Sequence, residues 1–422
     1  MYRVATVLAA LMLLPVSLPL LADGDDTVEL TGFAALRGGW VEGHPGWIEG
    51  GFGRLAAGGD GPGDSDLWAR GEAQLGLRFN PSISLQGKVH AVSRASTADN
   101  EGDAFGLTEA WMRYRRAIGH RGELSLTGGL FFFPSSQENI DPLWASPYTL
   151  TYSTINSWFA EEFRPLGVDA EWQTFTPAGN IWSVGATVFG GNDTMGTLIA
   201  WRGWAMHDRL SGFNEVLPLP PVFSLDEGSV FEAQRRFGTT GFGSDLDGDP
   251  GWALRTRYDH GSSFSGQFAL VDNQGDRMLH GKEWAWATSF MHAGGHWQIT
   301  ETAELMAEYT SGDTKIRFPG APWVYVHFQA AYLMASIDTN AGRWSLRYDR
   351  FEVDDKVANP NWGLFDDRGN AVTFAWIRDI SASSRVGIEL LLLDSDRPVA
   401  AQSGFSPDTD GLSLLMEWRM RF

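Results

Sequence analysis

The feature of this sequence that most restricts its fold is an alternation of apolar and polar residues with a period of two. The last segment shows it clearly, because apolar side chains stand at every second position from Leu412 to Phe422. Similar segments follow one another along the chain, separated by clusters of Gly, Asn, Asp, Ser or Pro. Such alternation places the apolar side chains on one face of a β-strand, whereas an amphipathic helix needs a period of about 3.6 residues. The sequence therefore predicts an all-β protein.

The connections between the predicted strands alternate in length. Sixteen strands are predicted near residues 27–41, 66–79, 83–94, 104–116, 122–134, 165–174, 181–190, 251–258, 263–272, 283–292, 297–310, 322–336, 343–354, 369–380, 384–395 and 410–422. Tight turns follow the even-numbered strands, as at 80–82, 294–295 and 340–342. Longer connections follow the odd-numbered strands, at 42–65, 95–103, 135–164, 191–250, 273–282, 311–321, 355–368 and 396–409. Such regular alternation of short and long connections is typical of a transmembrane antiparallel up-and-down β-barrel. It is not expected in a β-sandwich.

Such a barrel must close on itself, because lipid offers no hydrogen-bonding partner for an edge strand. If residues 195–208 formed a strand, with another hidden nearby, the count would be eighteen rather than sixteen. Aromatic girdles are expected where a barrel crosses the two membrane interfaces. Ten tryptophans at or near strand ends suit that position: Trp68, Trp111, Trp172, Trp182, Trp252, Trp284, Trp297, Trp323, Trp344 and Trp418.

Composition excludes several other classes of protein. The formal net charge of −20 argues against a nucleic-acid partner, which needs a basic face. The absence of Cys excludes disulfides, thiolate metal sites and cysteine nucleophiles. The nine His residues show no HExxH spacing, and no GxSxG motif occurs. We therefore expect no cofactor and no enzymatic activity.

The N-terminal segment has the form of an export signal. Residues 1–22 carry Arg3 ahead of an apolar run that ends at Ala22. No later stretch approaches the roughly 18 apolar residues that a membrane-spanning helix needs. We therefore divide the chain into a signal peptide, 1–22, and a barrel, 23–422.

The C-terminal strand resembles a known assembly signal. Phe422 ends a strand with aromatic and apolar residues at alternate positions, and this resembles the signature by which the barrel assembly machinery recognises its clients. Together with the signal peptide and the sixteen strands, the chain resembles Gram-negative outer-membrane porins. Residues 129–134, GLFFFP, and the 30-residue connection after them are similar to the phosphate-selective type. The lysine-rich lumen of that type is absent, since the chain has only four Lys, so phosphate selectivity is not implied.

The resemblance implies a location, partners and a function. It implies a barrel in the outer membrane, in contact with outer-membrane lipid and assembled as a homotrimer, through which small hydrophilic solutes or ions diffuse passively. It also implies that the third long connection, 135–164, folds into the lumen and narrows it. Two alternatives remain: a substrate-specific or gated uptake or export barrel, and a plugged surface barrel with a structural or adhesive role.

Strand parity predicts which side chains line the lumen. Opposite the outward apolar faces, the first four strands carry seven inward basic residues, here called the basic arc: Arg37, Arg70, Arg78, Lys88, Arg94, Arg113 and Arg115. The third connection offers four acidic residues to face it: Glu138, Asp141, Glu161 and Glu162. Opposed charges of this kind would create a transverse field across a water-filled constriction. The alternative is that the charges pair and plug the barrel.

The fourth long connection, 191–250, contains a cluster of acidic residues. Asp245, Asp247 and Asp249 resemble part of a calcium-binding loop, although the complete spacing of such a loop is missing. An ordinary Asp-Gly turn explains the same residues. We interpret the connection as a long extracellular loop over the mouth of the barrel, which agrees with the functional role that connections of this length usually have.

Overall fold

A computed structural model describes residues 28–96, 105–229, 231–236, 238–318, 321–359 and 363–422. The predicted signal peptide, 1–22, lies outside the described residues. Sixteen strands, labelled β1 to β16, build the barrel: Val28–Gly43, Gly61–Ser82, Leu85–Ser96, Phe105–Ile118, Gly122–Leu130, Leu166–Phe175, Ile181–Gly190, Gly251–His260, Phe264–Asp272, Ala287–Gln298, Ala303–Phe318, Ala321–Thr339, Gly342–Asp355, Asp367–Ser381, Ser384–Asp396 and Gly411–Arg421.

Each strand pairs antiparallel with its neighbours in the chain, and β16 pairs with β1 to close the barrel. At this seam Leu36 lies opposite Trp418, and Arg37 lies opposite Glu417. Large apolar side chains such as Leu346 and Met416 are exposed on the outside. The prediction of a sixteen-stranded up-and-down barrel is therefore confirmed, and each predicted strand corresponds to one observed strand.

The connections define two ends of the barrel. The short connections that follow the even-numbered strands lie at one end, called the turn side below. The long connections lie at the other end, called the loop side. Three long connections matter for the lumen: the first loop, 44–60; the third loop, 131–165; and the fourth loop, 191–250. Among the described residues, no helix has the length and hydropathy needed to cross a membrane.

Three details of the strand prediction were wrong. Gly294 and Gly295 pair within β10, so the turn lies at 299–302 instead. A glycine suits that position in the wall, because a Cβ on Gly294 would lie only 3.2 Å from Cγ of Gln137 in the third loop. The long connection predicted at 311–321 does not form, since β11 continues to residue 318 and β12 begins at residue 321. Residues 195–208 add no strand to the barrel, so a count of eighteen is wrong.

The aromatic side chains are unevenly placed. Trp182 stacks near Tyr258 on the outer surface, with ring centroids 4.5 Å apart, and Trp344 lies near Trp376. Trp284 does not fit the girdle, because it is buried. Five of the ten predicted tryptophans are exposed near the turn side: Trp172, Trp182, Trp297, Trp344 and Trp418. Three others are partly buried, Trp68, Trp111 and Trp252, and the side chain of Trp323 lies outside the described part.

Candidate functional site

The third loop lies inside the barrel. Its helix α1, Thr154–Glu162, is buried along its whole length, and Ser153 caps it by accepting a hydrogen bond from the Asn156 backbone. The strands hold the loop through its main chain. Asp349 on β13 accepts from the Thr154 backbone N–H at 3.0 Å, and Glu389 on β15 accepts from that of Leu150 at 2.6 Å. The loop is thereby fixed to the wall formed by β10–β15.

The fourth loop also enters the lumen. Its short helix α2, Thr197–Trp201, and the residues up to Ser211 are buried. Trp201 and Trp204 on this loop pack with Trp158 of α1 and with Phe290 and Phe328 of the wall in one apolar cluster. The Trp158 ring lies 5.2 Å from the rings of both phenylalanines. The loop side of the lumen therefore has a packed apolar core, which the period-two pattern did not predict.

A signal for this core is present in the sequence of β12. Its inward residues are apolar, as are several of its outward residues, such as Leu333 and Ile337. A strand that is apolar on both faces is buried on both faces. The inward set comprises Val324, Val326, Phe328, Ala330, Tyr332 and Met334.

The first loop completes this filling. Trp47 is buried against the fourth loop, where the Arg202 guanidinium lies 4.8 Å from its ring centroid. Leu55 forms a β-bridge with Met206 of the fourth loop. Arg54 forms a buried ion pair with Asp367 on β14. Three loops are therefore interlocked within the lumen, here called the plug.

The structure places the most buried part of the basic arc against the fourth loop. Asp208 accepts hydrogen bonds from Arg37 at 2.6 Å and from Arg70 at 2.5 Å. Glu215 accepts from Arg94 at 3.2 Å. Burial alone would raise the pKa of Asp208, but Arg70 and Arg37 lower it to about 2. These three arginines are therefore neutralised by the plug and do not face open water.

The other four residues of the arc lie closer to the turn side. Lys88 donates to Glu109 at 2.6 Å, and Arg113 donates to Thr127 at 2.9 Å. Arg78 forms an exposed pair with Glu29 at 3.2 Å. Arg115 is exposed.

The predicted opposition between the arc and the third-loop acids was wrong. Glu138 pairs with Arg347 on β13 at 3.0 Å, and Asp141 lies 3.5 Å from Arg385 on β15. Within the described contacts, none of the four acids bonds to the arc. The physical reason is that the fourth loop supplies the carboxylates that pair with the arc.

The last two acids join the third loop to the fourth. Glu161 pairs with Arg202 at 2.6 Å; burial alone would raise its pKa, but Arg202 and His207 lower it to about 2. Glu162 accepts from the backbone N–H groups of Gly196 and Leu198, at 3.0 and 2.8 Å. Burial dominates there and raises the pKa of Glu162 to about 7.

The aromatic residues of the third loop serve as packing anchors. Tyr148, Tyr152 and Trp158 are buried, and Trp144 stacks on Phe132 with centroids 4.6 Å apart. Leu143 and Trp144 both have positive φ, at 64° and 56°. Residues with side chains are rarely held in that region unless the surrounding contacts enforce it.

Phe422 ends the barrel at the turn side. Its backbone exchanges two hydrogen bonds with Gly32, at 2.9 and 3.0 Å, and its ring is exposed. A Cβ on Gly32 would lie 2.4 Å from that ring, so the glycine leaves room for it. Its role as an assembly signal remains a prediction.

The acidic cluster of the fourth loop contains Asp193 in place of the predicted Asp249. Carboxylate oxygens of Asp193, Asp245 and Asp247 lie within 4.8 Å of one another. The backbone N–H of Asp249 donates to Asp247 at 2.8 Å, as in a turn. Burial raises the pKa of Asp193 to about 6. Because these carboxylates also accept backbone hydrogen bonds, for example from Gly248 to Asp245 at 2.9 Å, the ordinary turn explains the geometry.

A closed barrel of sixteen antiparallel strands, apolar outside and with its third loop in the lumen, is the architecture of outer-membrane channels. No protein-family model and no curated protein matches the sequence. Among solved structures, the chain is similar to OprB of Pseudomonas putida, at 11% identity and a TM-score of 0.53, covering 94% of this chain and 95% of the other.

Two further structures give similar figures. The outer membrane channel DcaP of Acinetobacter baumannii is 11% identical with a TM-score of 0.53, covering 94% of this chain and 97% of the other. OmpF of Salmonella typhi, in complex with daunomycin, is 13% identical with a TM-score of 0.52, covering 95% of this chain and 99% of the other. The resemblance to outer-membrane porins is thereby confirmed for the fold.

Proposed function

We propose that the protein is an outer-membrane channel of the porin class for small hydrophilic solutes or ions, and that its own loops close it in the conformation described here. The observation that carries this proposal is the polar inner wall on the turn side of a barrel whose outer face is apolar. Charged side chains there, such as Lys88 and Arg257, remain partly exposed, which suits a lumen that water enters. The proposal places the barrel in the outer membrane of a Gram-negative cell, as a homotrimer, with no enzymatic step.

The plug has the properties of a gate. In the described part of the chain, several of its buried donors have no hydrogen-bond partner, among them Nε and Nη1 of Arg209 and Nε of Arg202. A buried donor without a partner costs about 1–3 kcal/mol. When the plug opens, water can hydrate these groups. The free energy gained in this way offsets part of the cost of exposing the apolar surface of the plug. This favours a plug that moves over one that is permanent.

The packed apolar core favours the second candidate, a permanently plugged barrel with a structural or adhesive role. Trp158, Trp201 and Trp204 are as deeply buried as residues of a soluble core. The two candidates differ in what happens when the fourth loop is shortened.

The test is single-channel conductance of the refolded protein in a planar bilayer, for the wild type and for a variant lacking residues 195–245. The ends of this deletion lie close together, since Asn192 forms a β-bridge with Ser244. We expect brief openings in the wild type and a conductance at least about tenfold higher in the variant. A salt gradient gives the ion preference from the reversal potential. A silent variant whose circular dichroism shows a folded barrel would reject the channel and support the plugged alternative.

A further inference from the structure

The turn side of the lumen contains a basic cavity that the plug does not fill. The cavity has a volume of about 360 Å³. Residues from the barrel wall, the β12–β13 turn and the third loop line it, so it lies at the turn-side mouth of the pore. Four arginines contribute to the lining: Arg343, Arg378, Arg385 and Arg421.

Arg385 is the most buried of these arginines, with a side chain only 4% exposed. Its guanidinium contacts Asp141, the Ser146 carbonyl and Glu417, and each contact measures 3.5 Å. Full-strength N–H···O bonds measure about 2.7–3.2 Å. Among the residues described, its Nε has no hydrogen-bond partner at all. The guanidinium has therefore lost its water without gaining a full-strength contact.

The carboxylates that face this cavity hold their arginines weakly. Asp141 is 34% exposed, and it reaches Arg385 from the third loop. Asp338 is 56% exposed and lies 3.6 Å from Nη2 of Arg343, whose Nη1 pairs with Glu304. Only the Nη2 side of Arg343 is therefore weakly held. Asp379 is also exposed, and it pairs with Arg421 at the rim. Exposed ion pairs contribute about 0–1 kcal/mol, so a dissolved anion displaces such partners at small cost.

We propose that this cavity binds the oxyanion group of a small solute, a carboxylate or a phosphate, at Arg385, with Arg343 as the second cation. This deepens the proposed function, and rests on it, by naming the solute class that stops at the turn side of the pore. Planar guanidinium groups bind such oxyanions through paired N–H donors. The long contact between Nη1 of Arg385 and Asp141 leaves that donor for an oxyanion that displaces Asp141 and fits more closely than the third loop does.

Asp141 competes with the solute in this arrangement. Its carboxylate approaches the same Arg385 guanidinium from the loop. Removing its charge therefore tightens solute binding, whereas removing the charge of Arg385 weakens it. Substitutions at two residues in contact are thus expected to change the solute affinity in opposite directions. General damage to the fold would not produce this pattern.

The test is an equilibrium titration of the full-length protein, folded in detergent, with inorganic phosphate and separately with acetate at constant ionic strength. Isothermal titration calorimetry gives the dissociation constants of the wild type, R385Q, D141N and the control R116Q. Arg116 is an exposed arginine at the turn side of β4, outside the cavity. Heat-modifiable gel mobility checks that each variant is folded.

We expect R385Q to weaken binding by about tenfold or more, the loss of one charge-assisted contact. D141N is expected to tighten binding, and R116Q to leave it unchanged. Binding of both probes indicates a general oxyanion site, and binding of phosphate alone restricts the class to phosphates. Absence of binding in the wild type, unchanged binding in R385Q, or weaker binding in D141N would overturn the proposal.

The titration does not depend on conduction. If the variant lacking residues 195–245 conducts no current but the wild type binds phosphate or acetate, the channel is rejected and the binding site stands. A conducting protein that binds neither probe rejects the site and leaves the channel.

Discussion

The two ends of the lumen differ in how they are filled. On the loop side, residues such as Trp158, Trp201 and Phe328 are as deeply buried as residues in the core of a soluble protein. On the turn side, inward side chains such as Lys88 and Arg257 are polar and remain partly exposed. The same sixteen strands form the wall at both ends, so the strands themselves do not decide whether the pore is closed.

For the proposed channel, this contrast predicts which part of the molecule controls opening. Closure depends on the loops of the plug, held by apolar packing and by ion pairs such as those of Asp208. In the proposed channel, the turn side is a vestibule whose partly exposed charges act on a passing solute. Substitutions on the loop side should therefore change opening and stability, whereas substitutions on the turn side should change affinity and ion preference.

The largest effect is expected from Trp158→Ala at the centre of the plug. Trp158 contacts Phe290, Phe328 and Trp204, so its truncation leaves a cavity within the apolar cluster. Such substitutions cost about 3–5 kcal/mol. We expect faster hydrogen exchange in residues 131–165 and 191–250 and more frequent openings, with little change in the outer barrel strands.

The comparison variant is Trp111→Ala. Trp111 also lines the lumen, but it is only partly buried beside Arg113. The substitution Trp111→Ala should change hydrogen exchange in the plug much less than Trp158→Ala does. Equal effects of the two substitutions would contradict the division between the two ends of the lumen.

The second effect is expected from the double substitution Asp208→Asn and Glu215→Gln. These carboxylates pair with the buried part of the basic arc, and their loss leaves buried guanidinium groups with fewer partners. Because Arg37 keeps Glu417 as a partner, we expect a cost to the closed state of about 2 kcal/mol, below that of a completely broken pair. Open probability in a planar bilayer should rise at least about tenfold.

A matched control exists on the same loop. Asp226 pairs with Arg236 at 3.0 Å, and both side chains are more than 40% exposed. Asp226→Asn should leave the open probability unchanged, because exposed pairs contribute little. If it opened the channel as strongly as the double variant, the effect would reflect net charge and not the buried pairs.

The third effect is a pH dependence from Glu162, which joins the third loop to the fourth. Burial raises the pKa of Glu162 to about 7, so the closed state holds a proton that the hydrated, open state releases. Closure is therefore favoured as the pH falls below 7, and this contribution is lost as the pH rises through 7. When the pH is lowered from 8 to 6.5, protonation of Glu162 should lower the open probability of the wild type by about fourfold relative to that of Glu162→Gln.

The comparison with Glu162→Gln isolates this group from His207. Burial lowers the pKa of His207, so its protonation favours the open state as the pH falls. His207 is present in both proteins, and its contribution cancels in their ratio. Identical pH profiles for the wild type and Glu162→Gln would show that opening leaves Glu162 buried.

The barrel could be predicted from the sequence because strand burial repeats with a fixed period. Parity placed Arg37 inside, and the structure agrees, since Arg37 is buried and its neighbour Leu36 is exposed on the outer face. Register errors arose where the period carries no information, as at Gly294, which has no side chain to mark a face. The β-bulge between His90 and Ala91 likewise shifts the pairing of β3 with β4.

The plug could not be predicted in the same way, because the loop sequences carry no periodic pattern that indicates their position relative to the barrel. Asp208 and Glu215 lie in a connection of 60 residues, and only tertiary packing brings them to Arg37 and Arg94. The third-loop acids were assigned to the wrong partners for the same reason. The apolar inner face of β12 was a local sign that something covers the wall.

The smallest effect is expected from Arg257→Gln on the turn side. Arg257 pairs with Asp259 at 2.8 Å, and its side chain is 45% exposed in the vestibule. Water already solvates this charge, so its removal should change the free energy of unfolding by less than about 0.5 kcal/mol and leave the open probability unchanged. The reversal potential in a salt gradient should nevertheless move toward cation preference, because a positive charge leaves the wall of the vestibule. An increase in open probability instead would mean that the turn side also holds the plug, and the two ends of the lumen would then act as one unit.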